Sequence, residues 1–330
     1  MSFNDEGVQY MQSRAFNSIH VDYQQNLLTK SSCNMAKIQD EVNYYLELPH
    51  QVAQYFPQLI NYSKDYSSYT LEYIPYSNLA QLILDQQITE EDGKHIINQL
   101  FTILDHIHHC KESQPTSLFK IDQFYINKTI ERIHQLKKLE NFQKLLAASE
   151  ITINGQTYLN FNLLQGKFIA SFKEFIARHS EISVIHGDFC FSNILYCQNS
   201  KNIKLIDPRG SFDHKGIYGH PYYDYAKLLH CLHGNYDLIV NNHYQFIENQ
   251  NNEFELHINH SSLLMNLNSY FKQILQKKGM DIQFLYLIKA SLFLSMAALH
   301  YEDPQRQKAL FFTGIMILNN FYWGKYANLH

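Results

Sequence analysis

Glycine is scarce. Twelve glycines in 330 residues fall well below the roughly 7% of an average protein, and none are spaced as G-x-G or G-x-x-x-x-G-K-[ST]. That removes the Rossmann and Walker A readings. Cysteine is equally thin: Cys33, Cys110, Cys190, Cys197 and Cys231 are odd in number and form no C-x-x-C pair, so free thiols are expected. Long apolar runs are missing too, since the stretch Ala290–Leu299 is about half of the ~20 residues that cross a bilayer. The start of the chain, Met1 to Glu6, has neither the cationic opening nor the apolar run of a secretory signal. A cytoplasmic protein without membrane insertion is expected. With 27 Lys+Arg against 31 Asp+Glu the net charge is −4, so no excess of positive charge exists to hold nucleic acid. The 45% of hydrophobic residues can nevertheless bury a core. The length suggests about two domains, or one two-lobed unit.

Residues 17 to 30 alternate loosely around polar Gln24-Gln25-Asn26, which predicts a hairpin whose second strand ends at Thr29-Lys30. Met35, Ile38, Val42, Tyr45 and Leu46 recur at helical spacing until Pro49. Tyr69–Ile74 is β-branched and aromatic and runs into Pro75, predicting a strand. A small sheet with one helix therefore fits residues 1 to 75, the first lobe. From residue 76 to 330 helical patterns dominate. Thr89-Glu90-Glu91-Asp92 resembles a capping box, with Asp in place of Glu or Gln, ahead of the stripe Ile96, Leu100, Ile103, Leu104, Ile107. Lys120 to Ala148 is amphipathic, and Ile151 to Tyr158 predicts a hairpin turning at Asn154-Gly155. Phe168, Phe172, Phe175 and Ile176 mark a further helix, and Ile282 to His300 is apolar nearly all round, predicting a buried one. Asn241 to Glu253 is polar enough to be a loop. The fold class is α+β.

One constellation carries chemistry. Val184-Ile185-His186-Gly187-Asp188 leads to Asn193-Ile194-Leu195, and Lys204-Leu205-Ile206-Asp207 follows. Asp188, Asn193 and Asp207 each sit at the end of a short, strand-like apolar run, which would anchor their oxygens on rigid elements. Phosphoryl transfer needs a carboxylate to take the proton of the attacking hydroxyl, and oxygen ligands to hold Mg²⁺ against the phosphates. Asp188 and Asn193 have the D-x-x-x-x-N spacing of the protein-kinase catalytic loop, and Asp207 lies fourteen residues beyond Asn193. An isolated Asp or Asn at such a place is ordinarily a turn residue; the composite reverses that.

These motifs make the sequence resemble the aminoglycoside phosphotransferase and choline kinase superfamily, relatives of the protein kinases with H-G-D in place of H-R-D. Ile206-Asp207-Pro208-Arg209-Gly210, Gly219-His220-Pro221-Tyr222-Tyr223-Asp224 and Leu292–His300 further resemble a subgroup associated with capsule and surface-polysaccharide genes. The resemblance spans both lobes. It implies a protein-kinase-like, two-lobed fold and transfer of the γ-phosphoryl group of ATP or GTP to a hydroxyl of a small molecule such as a sugar, an amino sugar or a choline-like alcohol. It implies further that Asp188 is the catalytic base, that Asn193 and Asp207 hold Mg²⁺, and that His186 is structural. Lys30 would steady the nucleotide phosphates with Glu41 as its ion-pair partner, Glu72 to Ile74 would offer backbone groups to adenine, and Asp224 would buttress the catalytic segment. Arg209 is either an anion contact for substrate or a loop-fixing residue. Two departures stand out: Ser13–Ser18, where the phosphate-covering loop is expected, has no glycine, and His220 replaces an acidic residue before Pro221. The alternative they raise is a catalytically impaired pseudokinase that binds nucleotide or a protein partner.

Other features have simpler readings. Of His106, His108 and His109, only the first and last share a helix face, which favours surface and capping roles over zinc. Cys190 reads as a packed thiol, and the 24 tyrosines and 22 phenylalanines as core residues rather than a base-stacking platform.

Overall fold

Local sequence sets the first elements of the computed structural model, which describes residues 8–12, 17–111, 120–212, 215–249, 253–259 and 261–326. Strands β1 (Val8–Gln12), β2 (Asn17–Asp22) and β3 (Leu27–Ser32) come first. The β2–β3 turn is closed by the Asp22 carboxylate, which accepts from the amides of Gln24 and Gln25 at 2.9 and 3.0 Å. Helix α1 (Met35–Glu47) begins where Asn34 accepts from the Lys37 amide, an N-cap that satisfies one of the orphan donors. It ends at Leu48, the extended residue before Pro49. The short α2 (His50–Ala53), β4 (Leu59–Tyr62), β5 (Ser68–Glu72), β6 (Ser77–Asn78) and α3 (Leu79–Leu84) follow.

Helix α4 (Glu90–His109) carries the expected cap: the Thr89 hydroxyl accepts from the Asp92 amide at 3.1 Å and donates to the Asp92 carboxylate at 2.8 Å. Beyond a π-helical turn at Gln123–Asn127 come α5 (Lys128–Leu136), α6 (Glu140–Ala147), β7 (Glu150–Ile153), β8 (Gln156–Leu159) and α7 (Phe161–Arg178). The β7–β8 hairpin turns at Asn154 (φ 51°) and Gly155 (φ 74°), the paired left-handed residues that an Asn-Gly turn supplies. Strands β9 (Ser183–Val184), β10 (Ile194–Tyr196), β11 (Ile203–Leu205) and β12 (Tyr218–Gly219) are short. The chain then runs through α8 (Tyr222–Leu232), α9 (Tyr236–Val240), β13 (Tyr244–Glu248), β14 (Glu253–Ile258), α10 (Ser262–Lys277), α11 (Ile282–Ala297) and α12 (Pro304–Tyr322).

Packing divides the chain into two units. The first comprises Met1–Asp85, Gln99–Phe119 and Ile182–Gly219. Its main sheet is antiparallel in the order β1-β2-β3-β5-β4, and a smaller one has the order β11-β10-β6. Ile38 and Val42 of α1 bury against Tyr69 and Leu71 of β5 to form the core of the sheet. The second unit comprises Gln86–Asn98, Lys120–Glu181 and His220–His330. Here α11, apolar nearly all round, packs against α12, α8 and α5, and a sheet in the order β13-β14-β7-β8 is joined by a parallel β14–β7 pairing. Among the described residues, no helix is long and apolar enough to cross a membrane.

Three expectations need correction. The polar stretch 241–253 holds strand β13 and the start of β14, because Tyr244–Glu248 pairs along its length with Phe254–Ile258. Backbone pairing, rather than side-chain hydropathy, makes it a strand. The second hairpin strand runs two residues past Lys30, to Ser32, whereas β5 stops at Glu72 and leaves Tyr73 and Ile74 in the connection. Of the glycine-free segment 13–18, residues 13–16 lie outside the described residues.

Candidate active site

Within the first unit, sheet register places the lysine. Lys30 lies in the middle of β3, opposite Ile19 of β2 and Tyr69 of β5, and is 4% exposed. A lone buried ammonium would be costly, but this one is met from two sides: its Nζ is 2.9 Å from Glu41 Oε2 on α1 and 2.9 Å from Asp207 Oδ1. Burial alone would lower the Lys30 pKa. The attraction of Asp207 and Glu41 and their hydrogen bonds outweigh it and raise the pKa above the ordinary lysine value. Glu41, itself buried, also accepts from the Tyr69 hydroxyl at 2.8 Å and lies 3.5 Å from Lys37 Nζ.

The segment after β9 is fixed through its histidine. His186 is fully buried; its Nε2–H donates to the Ile206 carbonyl at 3.1 Å, and its Nδ1 accepts from the Asp188 amide at 3.2 Å. Those two bonds select the neutral Nε2–H tautomer. Phe56 stacks on the ring, with centroids 5.9 Å apart and an interplanar angle of 15°. Gly187 has φ +77°, and a Cβ there would come within 2.0 Å of the Phe212 ring, so only glycine fits.

Asn193 closes a 3₁₀ turn (Phe191–Asn193). Its Nδ2 donates to the Asp188 carbonyl at 2.9 Å and to Asp188 Oδ2 at 3.1 Å. With the nitrogen committed to Asp188, Oδ1 is the end of the amide offered to a cation. The β10–β11 pairing of Ile194 with Leu205 brings the adjoining residues together, and the Ile206 amide donates to the Asn193 carbonyl at 3.0 Å. Asp207 follows with φ 53°, a left-handed conformation that costs a non-glycine residue about 1 kcal/mol or more. The turn is held beyond it by the Arg209 amide on the His186 carbonyl at 2.8 Å. The Asp207 side chain is 47% exposed. One carboxylate and one amide oxygen on neighbouring strand ends suit Mg²⁺, which takes one or two carboxylates and completes its shell with water and substrate phosphates.

The remaining candidates separate. Glu72 ends β5, where its amide donates to the Gln58 carbonyl at 2.9 Å; the Tyr73 amide donates to Asn26 at 2.8 Å, and the Ile74 carbonyl accepts from the Tyr76 amide at 2.8 Å. Glu72 helps line a cavity of about 460 Å³ with Tyr45, Phe56 and Lys204, and none of Lys30, Asp188, Asn193 or Asp207 lines it. The Arg209 guanidinium lies 6.0 Å from the Phe212 ring centroid and near the Asp40 carboxylate.

Asp224 belongs to the second unit, fully buried in the first turn of α8. There too lies His220, buried with Nδ1 2.9 Å from the Tyr125 hydroxyl and its ring stacked on Tyr222. All five cysteines are free. Among the described residues no three His, Cys, Asp or Glu side chains gather as a metal group, so His106, His108 and His109 build none. Two contacts had no signal in the sequence: Tyr69 on Glu41, and Tyr44, whose hydroxyl donates to the Ile185 carbonyl at 3.0 Å. Both are lost among the other 22 tyrosines.

No protein-family model and no curated protein sequence matches the chain. Solved structures do. The chain is similar to aminoglycoside phosphotransferase APH(4)-Ia, a thermostable mutant in its apo form, with a TM-score of 0.57 at 11% identity over 94% of this chain and 93% of the other. An ethanolamine kinase of Plasmodium vivax gives 0.54 at 12% identity over 99% and 86%, and the ADP-bound aminoglycoside phosphotransferase APH(2'')-Ib gives 0.54 at 14% over 96% and 94%. At these identities the likeness speaks for the fold. The chain has the α+β, protein-kinase-like fold shared by the aminoglycoside phosphotransferases and the choline and ethanolamine kinases.

Proposed function

We propose that the protein is a small-molecule kinase that moves the γ-phosphoryl group of ATP, or GTP, to a hydroxyl. The observation that carries this reading is the meeting, within one unit, of Lys30 with Glu41 and Asp207, beside Asp188 locked to Asn193. Asp188 then accepts the proton of the attacking hydroxyl and orients it for in-line attack. Lys30, kept charged by its two carboxylates, steadies the nucleotide phosphates, and the backbone of Glu72 to Ile74 faces adenine. Asn193 Oδ1 and Asp207 would hold Mg²⁺, which when bound neutralises charge on the β- and γ-phosphates. His186 serves by fixing the loop on both sides of its ring, and Asp224 keeps the structural role that the resemblance implies. Catalysis on this plan is positioning and charge stabilisation.

Residues 1–75 form the nucleotide lobe in this reading, and 76–330 supply the catalytic loop and acceptor site. Solved complexes of the similar APH(2'')-IIa hold gentamicin and streptomycin. A sugar, an amino sugar or a choline-like alcohol is accordingly the acceptor class, with a surface-polysaccharide precursor foremost and the cytoplasm as its place. Radiolabelled ATP incubated with a panel of such alcohols should give a phosphorylated product, abolished by chelation and restored by Mg²⁺. Asp188→Asn should slow transfer by about 10²- to 10⁴-fold while nucleotide still binds. The glycine-free segment 13–18 favours the second reading, a pseudokinase: nucleotide binding with no transfer to any acceptor would establish it.

A further inference from the structure

Helix α1 meets the catalytic segment at two points that the proposed chemistry does not use. Three residues before Asp188, the Ile185 carbonyl accepts from the Tyr44 hydroxyl at 3.0 Å, and Tyr44 is fully buried. Three residues after Asp207, Gly210 lies so close against α1 that a Cβ on it would come within 1.8 Å of the Asp40 carbonyl oxygen and 2.5 Å of its carbon. Asp40 and Tyr44 are i and i+4, so they share one helix face. Glu41, adjoining that face, is the residue that holds Lys30. The contact at Asp40 is reinforced by charge, with Arg209 and Lys215 near its carboxylate and Lys215 Nζ 3.2 Å from Gln39 Oε1. Within the loop, the Gly210 carbonyl accepts from the Gly216 amide at 3.0 Å.

We propose that Tyr44 and Gly210 are positioning residues: together they clasp α1 to the loops that carry Asp188 and Asp207, and thereby set Lys30 in register with both carboxylates. This rests on the kinase reading above and deepens it. Glu41 reaches Lys30 from the helix surface next to the one the clasp holds, so a shift of α1 would move Lys30 and the catalytic loop apart. The hydroxyl of Tyr44 and the missing side chain of Gly210 act through that geometry and touch no reacting atom.

The test is a double-mutant cycle on the full-length protein. Tyr44→Phe removes only the hydroxyl. It should lower kcat by about 10- to 100-fold, the effect of a small misplacement, and raise the nucleotide KM, while the acceptor KM stays within about twofold. Gly210→Ala should act in the same direction and more strongly; if it fails to fold, Tyr44→Phe still decides. In a Lys30→Ala background Tyr44→Phe should have little further effect, because the clasp works through Lys30. Additive losses in the two backgrounds, or a Tyr44→Phe enzyme with unchanged kcat, would overturn the clasp while leaving the kinase reading intact. A wild-type protein that neither binds nucleotide nor transfers phosphate overturns both.

Discussion

Lys30 in the first unit and Lys289 in the second are both buried, and their charges are accommodated by opposite chemistry. Lys30 in β3 is 4% exposed and faces two carboxylates, and its pKa is raised. Lys289 in α11 is fully buried, with Nζ 2.7 Å from His233 Nδ1 and 3.9 Å from the centroid of the Tyr286 ring. Tyr286 is in turn stacked on Tyr326, their centroids 3.8 Å apart. Burial pushes the Lys289 pKa well below the ordinary value, and the charge of Lys272 pushes it further. Burial is common to both; the neighbours decide the protonation state. A lysine kept charged by carboxylates suits a phosphate partner, whereas an amine driven toward neutrality among aromatic rings serves as packing.

The comparison breaks first at activity. Lys30→Ala should cost about 10²-fold or more in kcat/KM for phosphoryl transfer, while Lys289→Met should leave it within about twofold; a reversed order in steady-state assays would place the site in the wrong unit. Next comes stability in urea at pH 7. Lys30→Ala leaves Glu41 buried without its main partner and should cost about 3 kcal/mol. Lys289→Met, close in volume and free of the desolvation burden, should stabilise by about 1 kcal/mol, and a loss above about 2 kcal/mol would show that the amine is held charged.

A pH series sharpens the contrast. Between the depressed folded pKa of Lys289 and the ordinary value of 10.5, the unfolded chain binds more protons, so stability rises with pH, by at most about 1.4 kcal/mol per unit. That rise, read by urea melts between pH 7 and 9.5, should vanish in Lys289→Met. For Lys30 the folded pKa lies above 10.5, so its contribution is fully present throughout that window and is lost only at higher pH. The smallest effect concerns Lys37, a half-exposed i,i+4 partner of Glu41: Lys37→Ala should change stability by no more than about 0.5 kcal/mol.

What the sequence disclosed follows the range of the interactions involved. The β2–β3 hairpin, α1, the α4 cap and the Asn154-Gly155 turn are local, and spacing alone announced them. Lys30 and Glu41 were singled out only through the family resemblance, whereas the pattern from His186 to Asp207 was legible as a composite of residue types at fixed intervals. Strand β13 was not, since half-exposed Tyr244, Phe246 and their polar neighbours become a strand only through pairing with β14, which itself continues onto β7 about a hundred residues earlier. The clasp at Tyr44 and Gly210 joins positions more than 140 residues apart, where one tyrosine hydroxyl and one absent side chain leave no trace in composition or periodicity.

The backbone at Asp207 gives one position two jobs. Because the residue sits at φ 53°, an alanine scan there would report a loss of charge and a torsional penalty as a single number. Asparagine tolerates that region of the Ramachandran map and isolates the charge, while glycine relieves the torsion and removes the carboxylate; only the pair of replacements tells the two apart.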